Sequence, residues 1–193
     1  MRRRWTLRLV AGLAAGAVVL SGCSEEQAAS DTLPEAEVSP TASEPALPPL
    51  GPADLPMPDE ARTQDAAGAE AFVRYYIDLI NRTSTVMDAA PLREFSDGCE
   101  DCNRIATRAE EAAAAGEDYE GGEIIITDIG DPLIKPGTAE MALRIDQAEF
   151  IVLDSTGSPT EGGSPAYSNI LGGVSLAWQV DRLSWSMTGL TFQ

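Results

Sequence analysis

Histidine is absent from all 193 residues. Its absence removes the side chain that titrates nearest neutrality, the Ser/His/Asp and Cys/His nucleophilic sites, and the commonest metal ligand. Basic side chains are scarce too: 13 Lys and Arg stand against 31 Asp and Glu, and Arg2, Arg3, Arg4 and Arg8 use up four of them at the very front. The few that remain cannot build the basic patch that nucleic acid or an anionic headgroup surface requires, so those partners are excluded. The apolar run from Leu9 to Leu20 falls short of the roughly 20 residues that cross a bilayer. No internal repeat is present, and nothing in the sequence calls for a cofactor.

That short run is informative for what surrounds it. Four arginines precede it and Leu20, Ser21, Gly22 and Cys23 follow, so it reads as the apolar centre of a signal peptide with a small-residue cleavage site. The Leu-Ser-Gly-Cys sequence resembles the bacterial lipobox. The resemblance implies that the Cys23 thiol is alkylated with a diacylglyceryl group, that the bond after Gly22 is cut, and that the mature chain starts at the lipidated cysteine. Two acyl chains hold where one is marginal, because each buried methylene contributes about 0.8 kcal/mol. The expected location is the extracytoplasmic face of the cell membrane, with the lipidated amino terminus as the link to it.

Residues 1–22 are therefore assigned as lipoprotein signal peptide, 23–60 as a tether and 61–193 as a domain. From Ser24 to Glu60 the chain is rich in Pro, Ala, Glu and Ser and carries no Lys, Arg or aromatic residue. Ordering such a stretch is not compensated by burial, so it is expected to be disordered. As a coil it would reach roughly 30 to 35 Å, further if its charges and prolines extend it.

The domain opens with Thr63 as a helix cap, after which Phe72, Tyr76, Leu79 and Thr83 recur at helical spacing, with Val73, Ile77 and Ile80 widening the apolar face. A short helix or turn is expected around Pro91 to Phe95. A third helix follows from the internal cysteine pair to Gly116, with Glu100 placed to pair with Arg104. Beyond Gly121 the composition turns β-branched and aromatic, and Met141, Leu143 and Ile145 alternate with Ala142 and Arg144. Asp181-Arg182 is placed to close a hairpin that sets Trp178 opposite Trp185. Helices followed by strands predict an α+β domain, N-terminal helices on a curved antiparallel sheet of about four strands.

Cys99 and Cys102 are spaced as Cys-x-x-Cys. A structural disulfide formed after export, a redox pair and half of a metal site all use that spacing. Asp97, Glu100 and Asp101 crowd the pair, which opposes the electropositive surroundings a reactive thiolate needs. Zinc would lack two ligands.

The run from Phe72 to Gly122 resembles actinobacterial lipoproteins carrying the domain of unknown function numbered 6318. The matching features are an aromatic first helix, Leu92-x-x-Phe95-Ser96, Cys99-x-x-Cys102, an alanine-rich helix, Gly121-Gly122 ahead of the strands, and a late Trp185. Asp181-Arg182-Leu183 departs from the glycine-rich last turn usual there. The resemblance implies a cone similar to nuclear transport factor 2 and an envelope location, and it supplies no chemistry.

Three functions follow as candidates. The first is a non-catalytic envelope domain that binds a protein or small ligand, with Tyr75, Tyr76, Asp78, Trp178 and Trp185 as the possible pocket, against which stands plain aromatic core packing. The second is a small-pocket enzyme using Asp78 as a base, against a solvated helix face. The third is a thiol oxidoreductase using Cys99 and Cys102. The first is preferred.

Overall fold

The computed structural model describes residues 47–193; the signal peptide, Cys23 and the front part of the tether lie outside them. The elements, in order, are a 3-10 turn (Asp59–Arg62), α1 (Ala66–Val86), α2 (Ala90–Glu94), α3 (Glu100–Ala115), β1 (Asp118–Gly121), β2 (Ile124–Ile129), β3 (Leu133–Lys135), β4 (Thr138–Gln147), β5 (Phe150–Leu153), β6 (Tyr167–Gln179) and β7 (Ser184–Phe192). Among the described residues no helix is long and apolar enough to cross a membrane.

Ordered chain begins well before Ala61, which corrects the tether boundary. Met57 is buried, and Leu50 and Leu55 pack against the core. Polar clamps hold this segment down. Arg82 grips the Asp54 carboxylate through Nε at 2.7 Å and Nη2 at 3.0 Å, and Arg62 donates to the Pro48 carbonyl at 2.6 Å. A handful of apolar residues suffices once charge-assisted bonds fix the backbone between them.

Helix α1 starts at Asp65, whose Oδ1 accepts from the Gly68 N–H at 2.8 Å, and not at Thr63. The Thr63 hydroxyl instead bonds back to the Glu60 carbonyl, because Thr63 closes the 3-10 turn before the helix begins. The expected apolar face is the buried one: Phe72, Val73, Tyr76, Leu79, Ile80 and Thr83. The helix stops in a left-handed Met87, whose N–H returns to the Thr83 carbonyl. In α3 the ion pair is Arg104 with Asp101 at 2.7 Å, not with Glu100; both acids sit in the first turn, and the i,i+3 partner is the one reached. Gly116 ends α3 in the left-handed conformation, as expected.

The main sheet runs β2-β4-β6-β7, all antiparallel, with short β3 pairing alongside β4. The four-stranded path matches expectation. In β4, Ala139, Met141, Leu143 and Ile145 face inward while Thr138, Glu140, Ala142 and Arg144 face outward. The stretch from Thr138 to Leu153 is two strands, β4 and β5. At Ala148 and Glu149 the chain leaves the main sheet, and β5 pairs with β1 instead. Both strands of this ladder bend at one level, with Gly121 and Gly122 opposite Glu149 and Phe150. These two glycines have φ of 72° and 77°, and a side chain on Gly121 would run into the Glu149 carbonyl. The double glycine is therefore the hinge that curves the sheet.

Helix α1 lies over the inner face, and Phe72, Tyr76, Phe95, Trp185 and Met187 form the centre of the core without exposed surface. Cys99 and Cys102 are joined by a disulfide within the same core. The Cys99 sulfur caps α3 by accepting from the Cys102 N–H at 3.2 Å.

Candidate functional site

The five residues proposed to line a pocket do not meet around one. Tyr75 sets its ring edge-on to Phe95 at 5.7 Å and donates its hydroxyl to the Leu55 carbonyl. Tyr76 packs on Phe72 at 6.2 Å and donates to the Leu92 carbonyl. Burial pushes the Tyr76 hydroxyl up to about 12 and raises that of Tyr75 further. Trp178 and Trp185 are register partners across the last hairpin, edge to face at 5.3 Å, as the sequence predicted. Trp185 is fully buried, and its indole N–H donates to the Thr63 carbonyl at 2.9 Å, tying the last strand to the start of α1. Tyr75, Tyr76 and Trp185 are core, and the half-buried Trp178 packs against it.

Asp78 lies elsewhere, because two helical residues beyond Tyr76 turn a side chain by roughly 200°. It is exposed and lines a groove of about 440 Å³ with Arg74, Ile77, Asn81, Glu123 and the Ile124–Ile126 segment of β2. Partial desolvation by the groove walls raises its carboxyl above the ordinary aspartate value. Arg74 is engaged by Glu70 at 2.7 Å, so Asp78 and Glu123 set the local charge. Asn81 donates through Nδ2 to the Ile124 carbonyl at 2.9 Å and accepts through Oδ1 from the Ile124 N–H at 2.8 Å. Its role is structural, and the charged side chains left in the groove are Asp78, Glu123 and the Glu70-paired Arg74.

Two other concavities are open and shallow in chemistry. One of about 500 Å³ lies between α3 and the β1–β5 ladder, where Tyr119 and Phe150 meet edge to face at 4.7 Å. The other, about 460 Å³, crosses the outer sheet face at Asp131, Glu140, Ala142, Gly173, Ser175 and Thr191, where Glu140 is engaged by Lys135 and the Thr191 hydroxyl by the Gly173 carbonyl. Among the described residues no cluster of three or more Cys, Asp or Glu is arranged to hold a metal.

Sequence reading missed Arg62. It is buried to 8% exposure and, besides Pro48, donates to the Arg182 carbonyl at 3.0 Å and the Leu183 carbonyl at 3.5 Å. A lone arginine between a linker and a helix carries no pattern that marks it; only the turn it meets, 120 residues away, gives it a partner.

No curated protein matches the sequence significantly. Among solved structures, the intermembrane space region of the chloroplast protein ARC6 is similar at 16% identity and TM-score 0.49, covering 67% of this chain and 97% of that one. Aln2 from a Streptomyces species aligns at 10% identity and TM-score 0.38, covering 68% and 93%. A variant of the NTF2-type chain Rd1NTF2_05 aligns at 9% and 0.38, covering 65% and 99%. Residues 52–190, well over half of the chain, match the sequence profile of DUF6318, and the chain therefore belongs to that family of unknown function.

Proposed function

We propose that this chain is an exported lipoprotein, anchored through Cys23 at the extracytoplasmic face of the cell membrane, whose domain serves as a non-catalytic interaction module in the envelope. One observation carries the reading: between α1 and the sheet, Phe72, Tyr76 and Phe95 from the helices and Trp185 and Met187 from β7 belong to one core with no exposed surface, which leaves no room there for a substrate. Recognition then falls to the surface. The Cys99–Cys102 disulfide supports export, since cytosolic thiols are kept reduced, and the Leu20-Ser21-Gly22-Cys23 sequence supports lipidation. The sulfurs are inaccessible, with Cys99 at 0% and Cys102 at 1% exposure, which favours a static bond over a thiol oxidoreductase.

The test is mass spectrometry of the amino-terminal peptide from actinobacterial membranes. A diacylglyceryl adduct on Cys23 as the first residue is expected. An intact Met1–Gly22 leader on a cytosolic product overturns the anchor. Site-specific crosslinking in the same cells examines the module: discrete adducts from surface positions are expected, and turnover of an envelope metabolite by the purified chain would overturn the non-catalytic half.

A further inference from the structure

Strand β2 ends the sheet order and pairs only with β4 among the described residues. In an antiparallel ladder successive residues turn their N–H and C=O alternately to either side. The outward pair of Ile124 is taken by Asn81. Ile126, two residues on, turns its pair the same way, into the groove it lines with Ile77 and Asp78. Natural sheets blunt such an edge with lysine, proline or a covering element; here α1 covers it at Ile124 through Asn81, and past that contact the edge continues with Ile125 at 54% exposure and Ile126 facing the groove. The charges beside it are Asp78 and Glu123, the Arg74 cation being held by Glu70.

Charge decides between occupants. Pairing β2 with β2 of a second copy would oppose two chains of formal charge −18. The upstream stretch of this chain brings Glu25, Glu26, Asp31, Glu35, Glu37 and Glu44 and no cation after Cys23. A foreign strand with basic side chains meets the opposite sign, and β-augmentation supplies main-chain affinity while side-chain pockets supply selectivity. We infer that the edge of β2 past the Asn81 contact docks an extended, lysine- or arginine-bearing segment of another protein, which adds a strand beside Ile126 and sets a cation against Asp78 and Glu123. The inference rests on the interaction-module reading and not on the lipid anchor.

The experiment titrates the whole chain, in nonionic detergent, with a decapeptide of alternating lysine and valine, following backbone amide shifts by NMR. Expected are saturable shifts centred on Ile124–Thr127, loss of binding when alternate peptide nitrogens are methylated, and affinity weakened about fivefold by Asp78→Asn with Glu123→Gln. Both substitutions are at exposed positions, and Ile125→Lys, also exposed, is a second variant that blocks the edge. Shifts elsewhere, or binding indifferent to methylation, overturn the inference as mere charge adhesion. Equal binding of the glutamate-valine counterpart overturns it as well, as does a concentration-dependent dimer abolished by Ile125→Lys. If crosslinking in cells yields partners away from β2, the module reading stands and this edge assignment falls.

Discussion

The side-chain amide of Asn81 pairs with both backbone groups of Ile124, donating at 2.9 Å and accepting at 2.8 Å. It does for one residue what a neighbouring strand does for a whole ladder, and it pins helix α1 to the edge of the sheet it covers.

Replacing Asn81 with leucine keeps the branched shape and removes both bonds, leaving the Ile124 N–H and C=O unpaired beside a helix. A loss of about 1 to 3 kcal/mol in urea unfolding is expected. Amide exchange supplies the specific signature: Ile124 exchanges faster, while Ile125, bonded toward β4, is unchanged. Equal acceleration at both would mean that the strand itself had come loose.

The turn between β6 and β7 is strained where Leu183 takes φ of 50°, a left-handed conformation costly for a side chain and free for glycine. Arg62 steadies it by binding the carbonyls of Arg182 and Leu183. Leu183 is 41% exposed and gives up little packing, so Leu183→Gly should stabilise by about 1 kcal/mol. Arg62→Ala should destabilise by about 1.5 to 3 kcal/mol, since it removes charge-assisted bonds to part-buried carbonyls at both ends. Thermal melts of the two variants check the pair, and opposite signs are required.

These two sites mark how far the sequence reads. Periodicity exposed the buried face of α1 from Phe72 to Thr83 and the inward row of β4, because both signals are local. Trp178 opposite Trp185 was legible because a hairpin register is set by its own turn. Nothing local announced Arg62 or the Asn81–Ile124 pair, whose partners lie 120 and 43 residues away. The same limit misplaced the pocket: Tyr75, Tyr76 and Trp185 bear the residue types of a ligand wall, and whether such rings line a space or fill it depends on how closely helix and sheet approach. The ordered segment around Leu50 and Met57 was hidden by its Pro-rich composition, since the Arg82 and Arg62 clamps are not composition.

The Cys99–Cys102 bridge closes a very short loop, so its entropic contribution is small, about 2 kcal/mol. Cys99→Ala with Cys102→Ala should cost at least that amount and also loosen the start of α3, where Cys99 is the cap. In the native protein a maleimide given after mild reductant should label neither sulfur, both being inaccessible; labelling should appear only with denaturant. Ready labelling under native conditions would revive the redox reading.

Carboxyls in this domain pull stability in two directions, and Asp78 opposes Asp54 and Asp65. Asp54, held by Arg82, and Asp65, bonded to the Gly68 N–H, sit below the ordinary value of 3.8. Each contributes stability that is present above the unfolded pKa and lost as pH falls through the folded one. Asp78 is raised by desolvation, so the folded state binds its proton more tightly; its contribution is fully present below 3.8 and lost as pH rises through the folded pKa. Asp78→Asn should therefore match the parent melting temperature near about pH 2, where this carboxyl is protonated both folded and unfolded, and exceed it at neutral pH. Asp54→Asn removes the same charge and should approach the parent at the acid end, but fall below it at neutral pH because Arg82 loses its bidentate partner. A common rise in both variants would trace the effect to net charge alone; the divergence isolates the desolvated carboxyl in the groove beside β2.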